Sequence, residues 1–128
     1  MAKTGNTGIR RIVYAAKYSM QGFGAAWKHE AAFRQELMLT AVLTAVAAIL
    51  PSLDILERFL LMVFPWLVMT VEILNSAIEA VVDRFGDEWN ELSGRAKDLG
   101  SAAVFVMLML TLADWIVILI RNYCLISG

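Results

Sequence analysis

The chain has 128 residues, 59% of them hydrophobic, and a mean hydropathy of +0.65. That is too apolar for an ordinary water-soluble domain of this size and reads as an integral membrane protein. A formal net charge of −1 excludes bulk attraction to nucleic acid as the main theme, so where the charges sit matters more than their sum.

Met1 to Gly8, with two glycines and little apolar content, is expected to fray. From Ile9 to about residue 33 the apolar residues Ile12, Val13, Ala16, Met20, Phe23 and Trp27 recur at helical spacing. Arg10, Arg11, Lys17, Gln21 and Lys28 occupy much of the rest. This pattern predicts an amphipathic helix lying on the membrane surface, with Gly22 and Gly24 weakening it or marking a turn within it. No cleavable signal peptide is expected, since the stretch before Leu37 is polar or amphipathic, and the first span should be retained as an anchor. His29 reads as an interfacial polar residue.

Three apolar runs follow. Leu37 to Leu53 is stopped by Pro51 and Asp54, Phe59 to Val82 contains Pro65, and Leu99 to Ile120 is interrupted only by Asp114. They predict spans near 35–53, 57–84 and 99–121 in a single domain over 1–128, with Pro65 kinking the second span or freeing a carbonyl. Phe85 to Asp98, FGDEWNELSGRAKD, reads as a charged loop. The single Cys124 has no partner for an intramolecular disulfide, matches no metal spacing and is expected to face lipid.

Lysine and arginine placement predicts the orientation. Lys3, Arg10, Arg11, Lys17, Lys28 and Arg34 precede the first span, and Arg84, Arg95 and Lys97 lie between the second and third. The opposite side has only Arg58 and Arg121. The amino terminus and the charged loop are therefore expected in the cytoplasm.

The second span carries the chemistry. At about 100° per residue, Glu72, Asn75, Ser76, Glu79 and Asp83 fall on one helical face, while the other faces are Val, Ile, Leu and Ala. A carboxylate at the bilayer centre costs about 2.5–3.5 kcal/mol on insertion scales, so such a stripe should face protein or water. It reads as a functional site, or else as carboxylates that pair with basic residues of neighbouring helices to fix the packing. Glu72, the deepest, suits a general base or a proton carrier. Glu79 lies about 10 Å nearer the loop. Glu30, Glu36, Asp87, Glu88, Glu91 and Asp98 share that side, an excess of oxygen ligands suited to Mg²⁺. Arg11, Arg84, Arg95 and Lys97 stand beside them, as stabilising a nucleotide polyphosphate requires. The combination points to phosphoryl transfer at a membrane surface. P-loop and protein-kinase motifs are absent, and one histidine and one cysteine exclude the common zinc constellations. On the residues alone, a transport subunit using Glu72 and Glu79 as a relay and a purely structural assembly remain open.

The segments EAAFRQE at 30–36, VEILNSAIEAVVDR at 71–84 and ELSGRAKDLGSAAV at 91–104 resemble the bacterial integral-membrane diacylglycerol kinases. The resemblance runs over most of the chain from about Gly8. It implies an all-α homotrimer of the inner membrane, with a surface helix and three spans per protomer, that moves the γ-phosphate of MgATP to diacylglycerol. Carried over position by position, Glu72 resembles the catalytic base and Glu30 with Glu79 the Mg²⁺-binding pair. Arg11, Tyr18, Glu30, Glu79, Glu88, Trp89, Asn90, Lys97 and Asp98 correspond to ATP-contacting positions. Arg11, Ser19, Ala32, Phe33, Arg34, Gln35, Glu36, Glu72 and Ser101 correspond to lipid-substrate positions, with Asn75 and Asp83 in support. The chain departs from the pattern at Gly24, Asn90 and Asp114, where relatives can carry Arg, His and Thr. A related family shares the helix and loop pattern and phosphorylates undecaprenol, which is the alternative acceptor. EAAFRQE favours diacylglycerol.

Overall fold

The structure is a computed structural model that describes residues 7–128. Lys3 and most of the segment expected to fray lie outside the described residues. The chain forms four helices, α1 (Ile9–His29), α2 (Ala31–Ile49), α3 (Ile55–Asp83) and α4 (Glu91–Ser127). Among the described residues there is no strand, and α2, α3 and α4 are each long and apolar enough to cross a membrane. Short connections make α2, α3 and α4 antiparallel neighbours, with α3 in the middle, while α1 meets the rest in a smaller contact.

The helix boundaries differ from the expected ones for local reasons. The first helix ends at His29, not near residue 33, because Glu30 is extended (φ −109°, ψ 106°) and is at once the last cap of α1 and the first cap of α2. No turn occurs at Gly22 or Gly24: α1 is continuous. Each glycine nevertheless costs a helix interior roughly 1 kcal/mol relative to alanine. At the other end of α2, the residue before a proline is pushed out of helical conformation. Leu50 is accordingly non-helical, and residues 50–53 are a turn instead of the end of a span. The charged stretch expected as a loop to Asp98 is helical from Glu91. Asn90 accepts hydrogen bonds from the Leu92 and Ser93 amides at 2.9 and 3.1 Å, satisfying two orphan donors of the first turn. Helix α3 runs uninterrupted through Pro65.

The three long helices are tied by polar groups at the end remote from that loop. Asp54 and Glu57 form a reciprocal capping box at the start of α3. Glu57, buried, also accepts from Arg121 of α4, and Asn122 donates to the Pro51 carbonyl at 2.9 Å. Arg58 donates to the carbonyls of Ala47, Ala48 and Leu50 at 2.5, 2.7 and 3.1 Å, closing the otherwise open end of α2. The two arginines counted on this side are thus spent on helix ends. Above them Ala47, Leu61 and Ile118 pack with Trp115 between all three helices. Farther along, Thr40 donates to the Pro65 carbonyl at 3.5 Å and Trp66 to Thr44 at 3.2 Å. A second cluster, Ala26, Phe33 and Met69 with Leu37 and Ile73, sits under the elbow between α1 and α2.

Toward the loop, α3 and α4 approach closely where buried Asn75 faces buried Gly100. A methyl group on Gly100 would overlap the Asn75 Oδ1 atom. Helical backbone does not require glycine here; the neighbouring side chain does. Gly100→Ala is expected to destabilise the protein by about 1–3 kcal/mol through overpacking. Adding Asn75→Ala should recover most of that loss. Denaturation in mixed detergent micelles measures both, and a Gly100→Ala protein as stable as the parent would contradict the close approach.

Candidate active site

The polar stripe of α3 lies where its spacing put it, but its members differ in surroundings. Asn75 is buried, Glu72, Ser76 and Glu79 are half-buried, and Asp83 is exposed. Asn75 donates through Nδ2 to Glu79 Oε1 at 3.1 Å, which orients that carboxylate. Its Oδ1, pressed toward Gly100, has no hydrogen-bond partner among the described residues.

The pairing alternative holds for Asp83 alone. Its carboxylate accepts from Lys97 Nζ of α4 at 2.5 Å, whereas among the described residues neither Glu72 nor Glu79 has an ion-pair partner. The pair is largely exposed, and such pairs contribute little stability. Glu72 instead lies within electrostatic reach of Glu36 on α2, Glu79 on α3 and Glu30 at the α1–α2 elbow. The contacts of Phe33 with Met69 and of Thr40 with Pro65 set that antiparallel register. Like charges held together this way are stable when a cation joins them.

Two concavities flank the carboxylates. The first, of about 840 Å³, is an apolar groove between α1, the start of α2 and the middle of α3. Ser19, Gly22, Gly24 and Trp27 line one wall, Phe33 and Leu37 the floor, and Trp66, Met69, Ile73 and Leu74 the opposite wall. Its two hydroxyls are turned back on their own helices: Ser19 donates to Ala15 at 3.0 Å and Thr70 to Trp66 at 2.9 Å. The second, of about 290 Å³, is polar and lies at the α3–α4 connection. Asp83, Glu88, Trp89, Asn90 and Lys97 line it, with Gly86 in the turn at φ 94°. Only glycine takes that left-handed conformation without strain. From Ile73 at the groove to Asp83 at the polar concavity is roughly 15 Å along α3, with Glu79 between.

The sequence-derived site residues therefore separate into groups. Glu88, Trp89, Asn90 and Lys97 meet in one concavity and Ser19 and Phe33 in the other, while Glu30, Glu36 and Glu79 lie within electrostatic reach of Glu72 and line neither. Arg11 and Tyr18 are exposed on α1, Tyr18 stacking on Tyr14 with ring centroids 6.4 Å apart. Ala32 and Gln35 are exposed on α2, as are Asp98 and Ser101 on α4, and none of them lines either concavity. Arg34 donates to the Trp27 carbonyl at 2.7 Å and so braces the elbow. Glu72 is close to the groove in sequence but turned to the adjacent face of α3, and does not line it. Sequence reasoning missed Gly100 and the groove wall Trp66–Met69–Ile73. A lone glycine inside an apolar helix was the available sign of a close approach for the first. For the wall there was none, since those residues look like any lipid-facing side chains. Asp114, whose role the sequence left open, is half-buried, and its Oδ2 has no partner among the described residues.

The carboxylate donor set suits a hard divalent cation. Glu30 and Glu79 offer oxygen ligands, with Glu79 already oriented by Asn75. Among the described residues no three potential ligands converge, so magnesium here would complete its shell with phosphate oxygens and water, as it usually does.

An all-helical membrane protein that sets ionisable carboxylates beside an apolar groove, with a polar concavity farther along the same helix, has the features of a functional site that takes both apolar and polar ligands. Residues 17–119 match the family model for prokaryotic diacylglycerol kinase. The chain is 53% identical to the diacylglycerol kinase of Escherichia coli (strain K12), over 91% of this chain and 95% of that protein. It is 48% identical to that of Pseudomonas aeruginosa, over 91% and 94%, and 46% identical to that of Haemophilus influenzae, over 85% and 92%. The chain belongs to the prokaryotic diacylglycerol kinase family and is an enzyme of the phosphate-transferring class. The undecaprenol alternative finds no support among these relatives.

Proposed function

We propose that this protein transfers the γ-phosphate of ATP to the primary hydroxyl of 1,2-diacylglycerol, giving phosphatidate and ADP, at the cytoplasmic face of a bacterial inner membrane. The observation that carries the reading is the order of features along α3. The apolar groove is lined by residues 66–74, with Glu72 at the same level on the adjacent face; Glu79 follows, and the polar concavity comes last, within a length that a nucleoside triphosphate and a lipid headgroup together bridge. The acyl chains occupy the groove. The nucleotide occupies the concavity, against Trp89, Asn90 and Lys97, with Arg11, Tyr18, Glu88 and Asp98 as further contacts.

Glu72 takes the proton of the lipid hydroxyl as its oxygen attacks the γ-phosphorus. The new oxygen–phosphorus bond forms as the bond to the β-phosphate oxygen breaks in line, and ADP leaves. Lys97 and Arg11 stabilise charge on the phosphates. Glu30 and Glu79 would hold Mg²⁺, which when bound neutralises phosphate charge. Asn75 keeps the Glu79 carboxylate in place. Because Glu72 does not line its own chain's groove, and because three spans cannot surround a carboxylate stripe, a nucleotide and a lipid at once, the site is completed by a second copy in a homotrimer. The exposed apolar face of α1, with Ile12, Val13, Met20 and Trp27, lies on the membrane surface.

Glu72→Gln should abolish phosphorylation and leave assembly intact, since the amide keeps the shape but cannot accept the proton. Radiolabelled ATP and diacylglycerol in mixed micelles test it, and near-normal turnover would remove Glu72 as base. Glu30→Gln and Glu79→Gln should each raise the Mg²⁺ concentration for half-maximal rate. Titrations superimposable on the parent's would show that neither is a ligand. Inactive Ser19→Leu mixed with inactive Glu72→Gln should regain about one quarter of parental activity if groove and base come from adjacent copies at random. With subunit exchange verified by labelling, a mixture that stays dead places both in one protomer.

A further inference from the structure

We propose that Gly22 and Gly24 are specificity-determining positions, which set the breadth of the acyl portion that the groove admits; this rests on reading the groove as the lipid acceptor's berth.

Both glycines lie in the interior of α1, where glycine weakens a helix. Nothing in the packing of the described residues demands them. Neither has a positive φ, and a Cβ at either position would meet no atom of the described residues within 4 Å, unlike Gly100. What they do have in common is the groove, which both line. The facing wall on α3 is bulky, with Trp66, Met69 and Ile73, so the groove's width is the space that side chains at 22 and 24 would fill. The helix is thus weakened at two places that have one shared consequence, a wider apolar channel. Its lining and its place in a chain with three span-capable helices suit hydrocarbon. Among the described residues its only hydroxyls, Ser19 and Thr70, donate to their own helix backbone. The relatives' shared name supplies the occupant, a glycerol with two acyl chains.

The full-length protein in mixed micelles is offered 1,2-dioleoylglycerol and 1,2-dihexanoylglycerol separately with MgATP, and kcat/KM is measured for each. In Gly22→Leu and Gly24→Leu the ratio of kcat/KM for the dioleoyl over the dihexanoyl lipid should fall about tenfold, mainly through KM for the longer lipid. Phe23 also lines the groove, and Phe23→Ala, which widens it without risk of overpacking, should move the ratio the other way. Unchanged ratios in all three variants, with the parent active, overturn the specificity role and leave the lipid-kinase reading standing. A change in assembled size in the leucine variants assigns the glycines to contact between copies instead. A parent that phosphorylates neither lipid overturns the kinase reading, and the inference with it.

Discussion

The seam between α3 and α4 is the constraint on which the rest depends. Asn75 is buried against Gly100, and a buried amide with a wasted hydrogen bond costs about 1–3 kcal/mol. Only a register that sets Gly100 opposite Asn75 lets α4 pack here, while the Asn75 Nδ2 is satisfied within α3 by Glu79. The same register sets Asp83 beside Lys97 at the loop end and Glu57 beside Arg121 at the other. In hydrocarbon, apolar faces slide past one another at little cost, because lipid is as good a neighbour as leucine. Polar fixtures at both ends and one near the middle turn a greasy pair of rods into a scaffold of defined geometry.

Much of this was legible in the sequence because membrane helices have few ways to hide a charge. The stripe on α3 could be read from spacing alone, as could the spans, since length and hydropathy report directly on the bilayer's thickness. What could not be read is how partners are chosen. Asp83 found Lys97, and Glu57 found Arg121, through contacts distant in sequence. The stretch taken as a charged loop began its helix at Glu91, because Asn90 caps it; a polar helical turn and a polar loop have similar composition. The groove was invisible for another reason: its walls are apolar residues that differ from lipid-facing ones only in what stands opposite.

The elbow at Glu30 joins two tasks that usually conflict. One extended residue lets α1 turn away from α2, and Arg34 spans the break by holding the Trp27 carbonyl, so the bend is braced and not loose. Its placement also brings a carboxylate within electrostatic reach of Glu72, although Glu30 belongs to no helix interior. A residue that must be non-helical for the chain to turn is free to aim its side chain where a helical neighbour could not.

The arginine cap on α2 has a consequence for the surrounding lipid. With 19 residues at about 1.5 Å each, α2 is roughly 28 Å long, shorter than a typical hydrocarbon core of about 30 Å. Helices α3 and α4, with 29 and 37 residues, have length to spare. Arg58 fixes the end of α2, so α2 cannot be lengthened by unwinding the turn that follows it, and tilting only shortens its reach. The longer helices can lean to match a thin bilayer, but the shortest cannot stretch to match a thick one. Hydrophobic mismatch therefore falls on the lipid: thin membranes accommodate the protein as it stands, while thick ones must pinch inward around α2.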